Sequence, residues 1–398
     1  MLRTALVLGL LAAVGPFAID MYLPALPAIE ADLGATTAEV QMTLTTYFLA
    51  FGLAQLIYGP WSDAAGRKRP LFVGLGLFLV ASIGCVVAPD AATLAAFRFV
   101  QGAGAAVLMA VPRAMIRDEY TGVDGTRLMA MVMLVISVSP MLAPLAGSGL
   151  LAVSGWRGIF VAVAVAAVVS LIVLAVAQHE TLPPERRQPV RIAELWRGTK
   201  ILATEPVFMG LTFIAGFGMA SFFVFLASAS FVYTGQYGLT PTGFSLAFAV
   251  NAVSFFGASQ IAAPLGQRYG MVRVLSVGIF GFAAATTALL GIYLAGGGSL
   301  PVVMAGLFVG NFFLGLVIPT TMVVALDPHG RIAGLAASLG GTLQMLTGGA
   351  MIAASAPLFD GTALPMVATI AVCGWAASAI ALFVLPRLRA GTGTAPAE

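Results

Sequence analysis

The sequence has few charged residues: only 9% of its 398 residues are Asp, Glu, Lys or Arg, against about 25% in soluble globular domains. Cysteine and histidine are scarce too, with two residues of each. Cys85 and Cys373 fall inside apolar runs, where a thiol usually acts as a small apolar group. The composition therefore excludes a soluble globular protein, and we expect no disulfide framework and no metal site.

Long apolar runs replace the missing charge, since 60% of the residues are hydrophobic. A helix needs about 20 apolar residues to cross the ~30 Å hydrocarbon core of a bilayer. Runs of that length recur twelve times, so we predict an all-α membrane protein with twelve transmembrane helices. The predicted spans are residues 2–26, 40–60, 70–89, 92–113, 128–152, 157–178, 205–233, 242–265, 271–294, 301–326, 332–356 and 363–385.

The positions of the basic residues predict the orientation, because cytoplasmic loops retain Lys and Arg. With the N-terminus inside, all of the 19 basic residues except Arg98 and Arg157 lie on the cytoplasmic half. We therefore expect a multi-pass membrane protein with both termini in the cytoplasm. The net charge of +3 reflects this loop bias, and no nucleic-acid partner is expected. Residues 1–18 also fit a cleavable secretory signal, an alternative that would leave eleven spans.

One long polar connector, residues 179–204, divides the spans six and six. We predict an N-terminal six-helix bundle (residues 1–178), a cytoplasmic linker (179–204), and a C-terminal six-helix bundle with a short cytoplasmic tail (205–398). The loops GPWSDAAGRKR, residues 59–69, and APLGQRYGMVR, residues 263–273, share Pro, Gly and Arg at matching places. Such duplicated halves are typical of transporters that bind their substrate between the halves.

Asp20, in the stretch IDMYLPALP, is the only carboxylate inside a predicted span. An acid at the centre of a membrane helix costs at least ~2.5 to 3.5 kcal/mol and is by default a functional hypothesis. Asp20 lies about 27 Å along the first span and Arg98 about 9 Å below the outer edge of the fourth, so both occupy the outer half. We predict that they interact and couple transport to protons. A static ion pair, or an Asp20 that reaches the outer surface, remains an alternative.

Several motifs together resemble a known family. They are IDMYLPALP, GPxSDxxGRK at residues 59–68, RFVQGAGAA at 98–106, SPMLAPLAGSG at 139–149 and GWRGIF at 155–160. The chain resembles the major facilitator superfamily and, within it, the drug:proton antiporters of the bicyclomycin and chloramphenicol resistance type. In the fifth helix Pro140, Pro144 and Gly147 match the antiporter motif, whereas Ser139 and Ala143 stand where it prefers glycine.

The second loop is interpreted as a conformational latch. Gly59 and Gly66 permit a tight reversal, Asp63 can accept hydrogen bonds from a helix start, and Arg67 and Arg69 hold the turn at the anionic inner leaflet. Simple anchoring of the topology by the basic cluster is the alternative.

The other spans predict an apolar substrate cavity with few polar groups, which suits a moderately hydrophobic, largely uncharged small molecule. The candidate cavity residues are Tyr47, Gln55, Gln101, Met109, Phe222, Phe223, Asn251, Asn311 and Gln344.

These features predict proton-coupled efflux of lipophilic drugs by alternating access, and the resemblance implies compounds such as chloramphenicol-like amphenicols. A proton-coupled uptake symporter, a non-transporting receptor and a membrane enzyme are the alternatives. The sequence has no HExxH, Gly-x-Ser-x-Gly, P-loop or Cys/His cluster, so we do not expect an enzyme. We expect a monomer with no cofactor apart from protons as the coupling ion.

Overall fold

Helices form the regular structure in the computed structural model, which describes residues 2–120 and 122–392. No β-strand occurs among these residues, and the predicted all-α fold is confirmed. Residues 393–398 of the predicted tail lie outside the described residues. The helices are α1 (Leu2–Asp20), α2 (Leu26–Leu33), α3 (Thr37–Ala65), α4 (Lys68–Val86), α5 (Ala91–Glu119), α6 (Gly122–Ala177), α7 (Ile192–Thr204), α8 (Pro206–Phe231), α9 (Pro241–Tyr269), α10 (Met271–Ile292), α11 (Leu300–Leu326), α12 (Ala333–Ser355) and α13 (Ala363–Thr392).

Within the described residues, eleven helical segments are long and apolar enough to cross a membrane, and one of them contains two spans. This segment, Asp124–Ala177, has 54 residues and would extend about 80 Å as a single helix, more than twice the ~30 Å core. At Gly155 the helical conformation is interrupted by a φ of +69°, which glycine adopts without steric cost. The break gives two spans where the sequence predicts them, and the total becomes twelve.

The first predicted span, residues 2–26, is not one continuous helix. Helix α1 ends at Asp20, a short 3-10 turn follows at Leu23–Ala25, and α2 continues the chain to Leu33. Pro24 stands in the first turn of the 3-10 segment, as expected of a residue that cannot continue an α-helix. Asp20 is therefore the last residue of a helix.

The predicted linker contains a helix that the sequence analysis did not predict. Residues 183–189 contain three prolines and form only a short 3-10 turn at Pro184–Arg186. No proline occurs between Pro189 and the end of α7, and the helix forms there. Gly198 and Leu202 face inward, and a Cβ at Gly198 would contact Leu335 of α12. The linker helix therefore packs on the bundle that follows it.

The chain forms two compact units. One contains the residues up to Arg191 together with Leu239–Ala249, and the other contains Ile192–Gly238 and the residues from Val250 onward. In the first unit α1 packs on α6, and α3 and α4 pack on α5; in the second, α8 packs on α12 and α13, and α10 packs on α11 and α13. The functional division at residues 179–204 stays a prediction.

Candidate functional site

Asp20 lies at the C-terminal end of α1 and is buried, with only 5% of its surface exposed. Within the described part of the chain, no hydrogen-bond donor or cation pairs with its carboxyl group. It is also the only buried carboxylate among the described residues. An unpaired carboxylate is costly in such a place because it has lost its water without gaining a partner.

Arg98 of α5 is completely buried and reaches α1 close to Asp20. Its Nη1 donates to the carbonyl oxygen of Ala18 at 3.3 Å and to Oε1 of Gln101 at 2.6 Å. The guanidinium thus contacts the backbone two residues before Asp20, and the expected direct pairing with the carboxylate is not formed. Helix depth places the two residues correctly, but the arginine turns toward other partners.

Aromatic rings replace the carboxylate beside the guanidinium. The Cζ atom of Arg98 lies 4.6 Å from the ring centroid of Tyr22 and 4.3 Å from that of Tyr47, with Phe160 at 6.0 Å. Cation–π attraction is strongest where water is excluded, as it is here. The Nε and Nη2 atoms of Arg98 and the hydroxyl of Tyr47 are buried and have no hydrogen-bond partner among the described residues. The hydroxyl of Tyr22, in contrast, pairs with Thr43 at 2.7 Å.

Sequence reasoning assigned no role to Tyr22 or Phe160, although both lie in the quoted motifs IDMYLPALP and GWRGIF. The two rings pack against each other with centroids 5.5 Å apart, so the two motifs meet beside Arg98. A signal was present in the sequence, because an aromatic residue lies two positions from the intramembrane acid.

The GWRGIF motif joins α6 to α2 and to the end of α4. Nε1 of Trp156 and Nη1 of Arg157 both donate to Oδ2 of Asp32, at 3.0 and 2.5 Å. Arg157 also donates to the carbonyl oxygens of Val86 and Ala88. Since Phe160 lies one helical turn further on, these contacts hold its ring against Tyr22. Arg157 is therefore an anchor between helices rather than an isolated charge on the far side.

Both polar atoms of the Gln101 side chain already form hydrogen bonds within the protein, so neither is free to bind a substrate. Its Oε1 accepts from Arg98, and its Nε2 donates to Oγ of Ser82 at 2.8 Å. Gln55 and Met109, the other polar and flexible candidates in the first unit, are half-buried.

In the second unit the candidate cavity residues form two groups. Nδ2 of Asn311 donates to Oδ1 of Asn251 at 3.3 Å, so these two amides are linked. Phe222 stacks on Phe255 with centroids 5.5 Å apart, and Phe223 is buried against α12, where a Cβ at Gly348 would collide with its ring. Gln344 is half-buried.

The fifth transmembrane helix, the first part of α6, approaches the chain next to Asp20. A Cβ at Gly147 would collide with the carbonyl oxygen of Met21, so glycine is required for this close contact. Pro140 and Pro144 are buried in the same segment. The antiporter-like motif therefore packs directly against the backbone that carries the intramembrane acid.

The second loop turns at Gly66, whose φ is +89°. Gly59, in contrast, lies inside α3, so the prediction that it forms part of the reversal is wrong. Arg69 is exposed, whereas Arg67 is buried. The charge that the loop holds inside the protein is therefore that of Arg67.

Arg67 is bound by two acids and a hydroxyl. Its Nε and Nη2 donate to the two carboxylate oxygens of Asp118 at 2.8 and 3.1 Å, and its Nη1 donates to Asp63 at 2.5 Å and to Ser62 at 2.9 Å. Burial alone would lower the pKa of the Arg67 guanidinium, but the hydrogen bonds to Asp118 and Asp63 raise it above its ordinary value. The arginine therefore stays charged.

The prediction that Asp63 accepts hydrogen bonds from a helix start is wrong. Glu180 accepts them instead. The two oxygens of Glu180 accept from the backbone N–H groups of Arg67 and Lys68 at 2.8 and 3.2 Å, where α4 begins. This placement is favourable because the first N–H groups of a helix lack partners within the helix. Sequence reasoning missed Glu180 and Asp118 because both lie far along the chain from the loop.

Comparison with known proteins agrees with these observations. Residues 8–353 match the Major Facilitator Superfamily. The chain is 32% identical to an uncharacterised MFS-type transporter of Bacillus subtilis, covering 98% of this chain and 97% of the relative. It is 28% identical to a bicyclomycin resistance protein homolog of Haemophilus influenzae, covering 92% of each, and 33% identical to a chloramphenicol resistance protein of Pseudomonas aeruginosa, covering 68% of this chain and 63% of that protein.

Among solved structures, a D-xylose-proton symporter superposes with a TM-score of 0.72 at 14% identity and covers 97% of each chain. At that identity the likeness concerns the fold alone. The predicted resemblance to bicyclomycin and chloramphenicol resistance proteins is confirmed. The match over residues 8–353, with the twelve spans and the second-loop motif, establishes that this chain belongs to the Major Facilitator Superfamily.

Proposed function

We propose that this transporter exports lipophilic small molecules from the cytoplasm in exchange for protons, by alternating access. The observation that carries the proposal is Asp20, a buried carboxyl group with which no hydrogen-bond donor or cation pairs in the described part of the chain. A proton can neutralise such a group, whereas its ionised form needs a compensating partner. An acid of this kind inside the membrane is suited to carrying protons.

In the proposed cycle Asp20 takes up a proton from outside and releases it to the cytoplasm after the two halves have changed their orientation. The membrane potential supplies about 2.3 kcal/mol for each charge moved across 100 mV. Arg98, whose Nη1 contacts the backbone of Ala18, is close enough to stabilise the ionised form once the local geometry changes. Binding of substrate and binding of a proton then alternate during the cycle, and one carboxyl group serves it.

The proposed substrates are moderately hydrophobic drugs similar to bicyclomycin or chloramphenicol. Relatives that carry these two names cover 92% and 68% of the chain. The stacked rings of Phe222 and Phe255 and the linked amides of Asn251 and Asn311 place aromatic side chains and few hydrogen-bonding groups in the interior of the second unit. Such surroundings suit ligands of this type.

The second loop is proposed as a latch on the conformational equilibrium. Its buried Arg67 is held by Asp118 and Asp63, and Glu180 from the linker binds the start of α4. These contacts join the loop, the end of α5 and the linker into one cluster. A change of 1.4 kcal/mol in that cluster would alter a population ratio tenfold.

The proposed location is the bacterial inner membrane with both termini in the cytoplasm, supported by the distribution of Lys and Arg among the loops. Because one chain supplies both sets of spans, a monomer would suffice for transport.

Chloramphenicol transport in everted membrane vesicles tests the proposal. Energised vesicles containing the protein should accumulate chloramphenicol and release protons, and Asp20→Asn should abolish uphill accumulation. Asp20→Glu should retain part of it because the variant still titrates. Asp124→Asn is the matched control, since Asp124 is exposed and its loss should leave transport unchanged.

Uphill accumulation by Asp20→Asn would reject Asp20 as the obligatory coupling site. Loss of chloramphenicol from energised vesicles would instead indicate uptake symport on the same fold and would reject the direction proposed.

A further inference from the structure

We propose that Tyr22 and Tyr47 are positioning residues, whose rings hold the guanidinium of Arg98 away from Asp20 so that the carboxyl group can exchange its proton. The inference rests on the proposed function for its biological meaning. Its physical content, the effect of two rings on the protonation of one acid, can be tested without transport.

A buried guanidinium has to be compensated, and here the compensation is mostly aromatic. Arg98 is completely buried, and its two hydrogen-bond acceptors, Ala18 O and Gln101 Oε1, are both served by Nη1. Nε and Nη2 have no acceptor among the described residues. The rings of Tyr22 and Tyr47, within 4.6 Å of Cζ, supply the attraction that an anion would otherwise provide.

The alternative partner is close at hand. Nη1 of Arg98 touches the carbonyl of Ala18, and Asp20 follows two residues later at the end of the same helix. Asp20 is also near enough to Tyr47 to interact electrostatically with its phenol. The free donors Nε and Nη2 can therefore turn to Asp20 if the rings no longer hold the guanidinium.

Few other titratable groups face this pair. In the described part of the chain, Tyr22 from the segment after α1, Tyr47 from α3 and Cys85 from α4 interact electrostatically with Arg98. α5 contributes Arg98 itself and the neutral Gln101, and α6 contributes the ring of Phe160. Since Asp20 is the only buried acid among the residues that the structure describes, it is the anion that a released guanidinium would bind.

Removing a ring should therefore make Asp20 harder to protonate, because a nearby guanidinium stabilises the ionised carboxylate. In Tyr47→Leu the ring is lost. In Tyr47→Phe the ring remains and only the hydroxyl is removed, which has no hydrogen-bond partner in the described part of the chain. The two variants thus separate the effect of the ring from that of the hydroxyl.

The experiment is an infrared titration of the carboxyl group in purified full-length protein, in lipid and without substrate. The C=O band that disappears in Asp20→Asn is assigned to protonated Asp20 and followed against pH. We expect the midpoint in Tyr47→Leu to fall by about one pH unit or more, equivalent to a tenfold change in proton affinity. Tyr47→Phe should titrate like the wild type.

Tyr22→Leu and Tyr22→Phe form a second pair that should behave in the same way, and they keep the test decisive if Tyr47→Leu fails to fold. Equal midpoints in both Leu variants and the wild type would overturn the proposal. It would also be overturned if each Phe variant shifted as far as the corresponding Leu variant, because the hydroxyls would then be responsible.

The same variants assayed for chloramphenicol-driven proton release separate this inference from the proposed function. A shifted infrared midpoint without any transport by the wild type would reject the transport proposal and leave the role of the rings standing. Transport by the wild type with unshifted infrared midpoints in the Leu variants would reject the role of the rings and leave the transport proposal standing.

Discussion

The two acids that bind Arg67 differ in burial, and their replacement by asparagine should have unequal effects. The Arg67 side chain is 7% exposed, that of Asp118 14% and that of Asp63 56%. Asp118 accepts from two guanidinium nitrogens and from the hydroxyl of Thr181. Asp63 accepts only from Nη1 among the described side-chain donors. We predict that Asp118→Asn destabilises the protein far more than Asp63→Asn.

The magnitudes follow from this geometry. A hydrogen bond to a charged group contributes about 1.5 to 3 kcal/mol, and removing one partner of a buried ion pair can cost about 3 to 5 kcal/mol. Because the asparagine can still accept one bond from the guanidinium, we expect Asp118→Asn to cost about 2 to 3 kcal/mol. Exposed ion pairs contribute about 0.2 to 1 kcal/mol, and Asp63→Asn should fall within that range.

Thermal unfolding of the purified variants in one detergent measures the difference. Asp124→Asn, at an exposed position in the first turn of α6, is the control for loss of a carboxylate. The expected order of unfolding temperature is control, Asp63→Asn and then, well below both, Asp118→Asn. If Asp63→Asn unfolded at or below the temperature of Asp118→Asn, the assignment of Asp118 as the main partner of Arg67 would be refuted.

Two further predictions compare glycines of unlike environment by the same unfolding measurement. Gly66→Ala should cost about 1 to 3 kcal/mol, because a φ of +89° with a ψ of 164° is a conformation that essentially only glycine adopts. Gly59→Ala, inside α3 with open space around it, should be neutral or stabilising, and equal losses would contradict the turn assignment. Gly147→Ala should cost about 1 to 3 kcal/mol by overpacking against the backbone of Met21 and should reduce transport, whereas Gly149→Ala, which meets nothing, should do neither.

The spans could be predicted because membrane helices carry a strong one-dimensional signal, the length of an apolar run. The same signal predicted two spans within the long α6, and the gap between them, residues 153–156, contains the break at Gly155. It failed for α7, since the linker helix is short and polar and packs through only a few residues, such as Leu202. An apolar run does not reveal a helix of that kind.

The sequence predicted how deep Asp20 and Arg98 lie in the membrane but not how their helices are rotated about their axes. Counting residues along two helices placed Asp20 and Arg98 at similar heights, and the contact of Arg98 with Ala18 agrees with that count. Which atoms meet depends on how each helix is turned about its axis, which a single sequence without strong amphipathicity does not specify. For this reason the sequence predicted an interaction of Asp20 with Arg98 but did not predict the rings of Tyr22 and Tyr47, which the structure places against the arginine.

The partners of the second loop were missed because they come from distant parts of the chain. Asp63 was assigned to a helix start since it lies nearby in sequence, yet Glu180, 113 residues beyond Arg67, caps that helix. The pairing of Arg67 with Asp118 likewise spans 51 residues. Local reasoning identifies the charge that needs partners, and only the tertiary structure identifies the partners.

The loops at residues 59–69 and 263–273 share the geometry of the turn but not the charged residues Asp63 and Arg67. Gly66 and Gly270 occupy matching places, and their φ angles are +89° and +88°, so the same reversal is built in both halves. The positions that match Asp63 and Arg67 in the second half are Gln267 and Met271. The turn therefore forms without the charges, and the ion cluster of the first half is not needed to make it. Since burying Arg67 is costly unless it is paired, a function beyond the turn itself, such as the proposed latch, accounts best for a buried arginine at this position in one half alone.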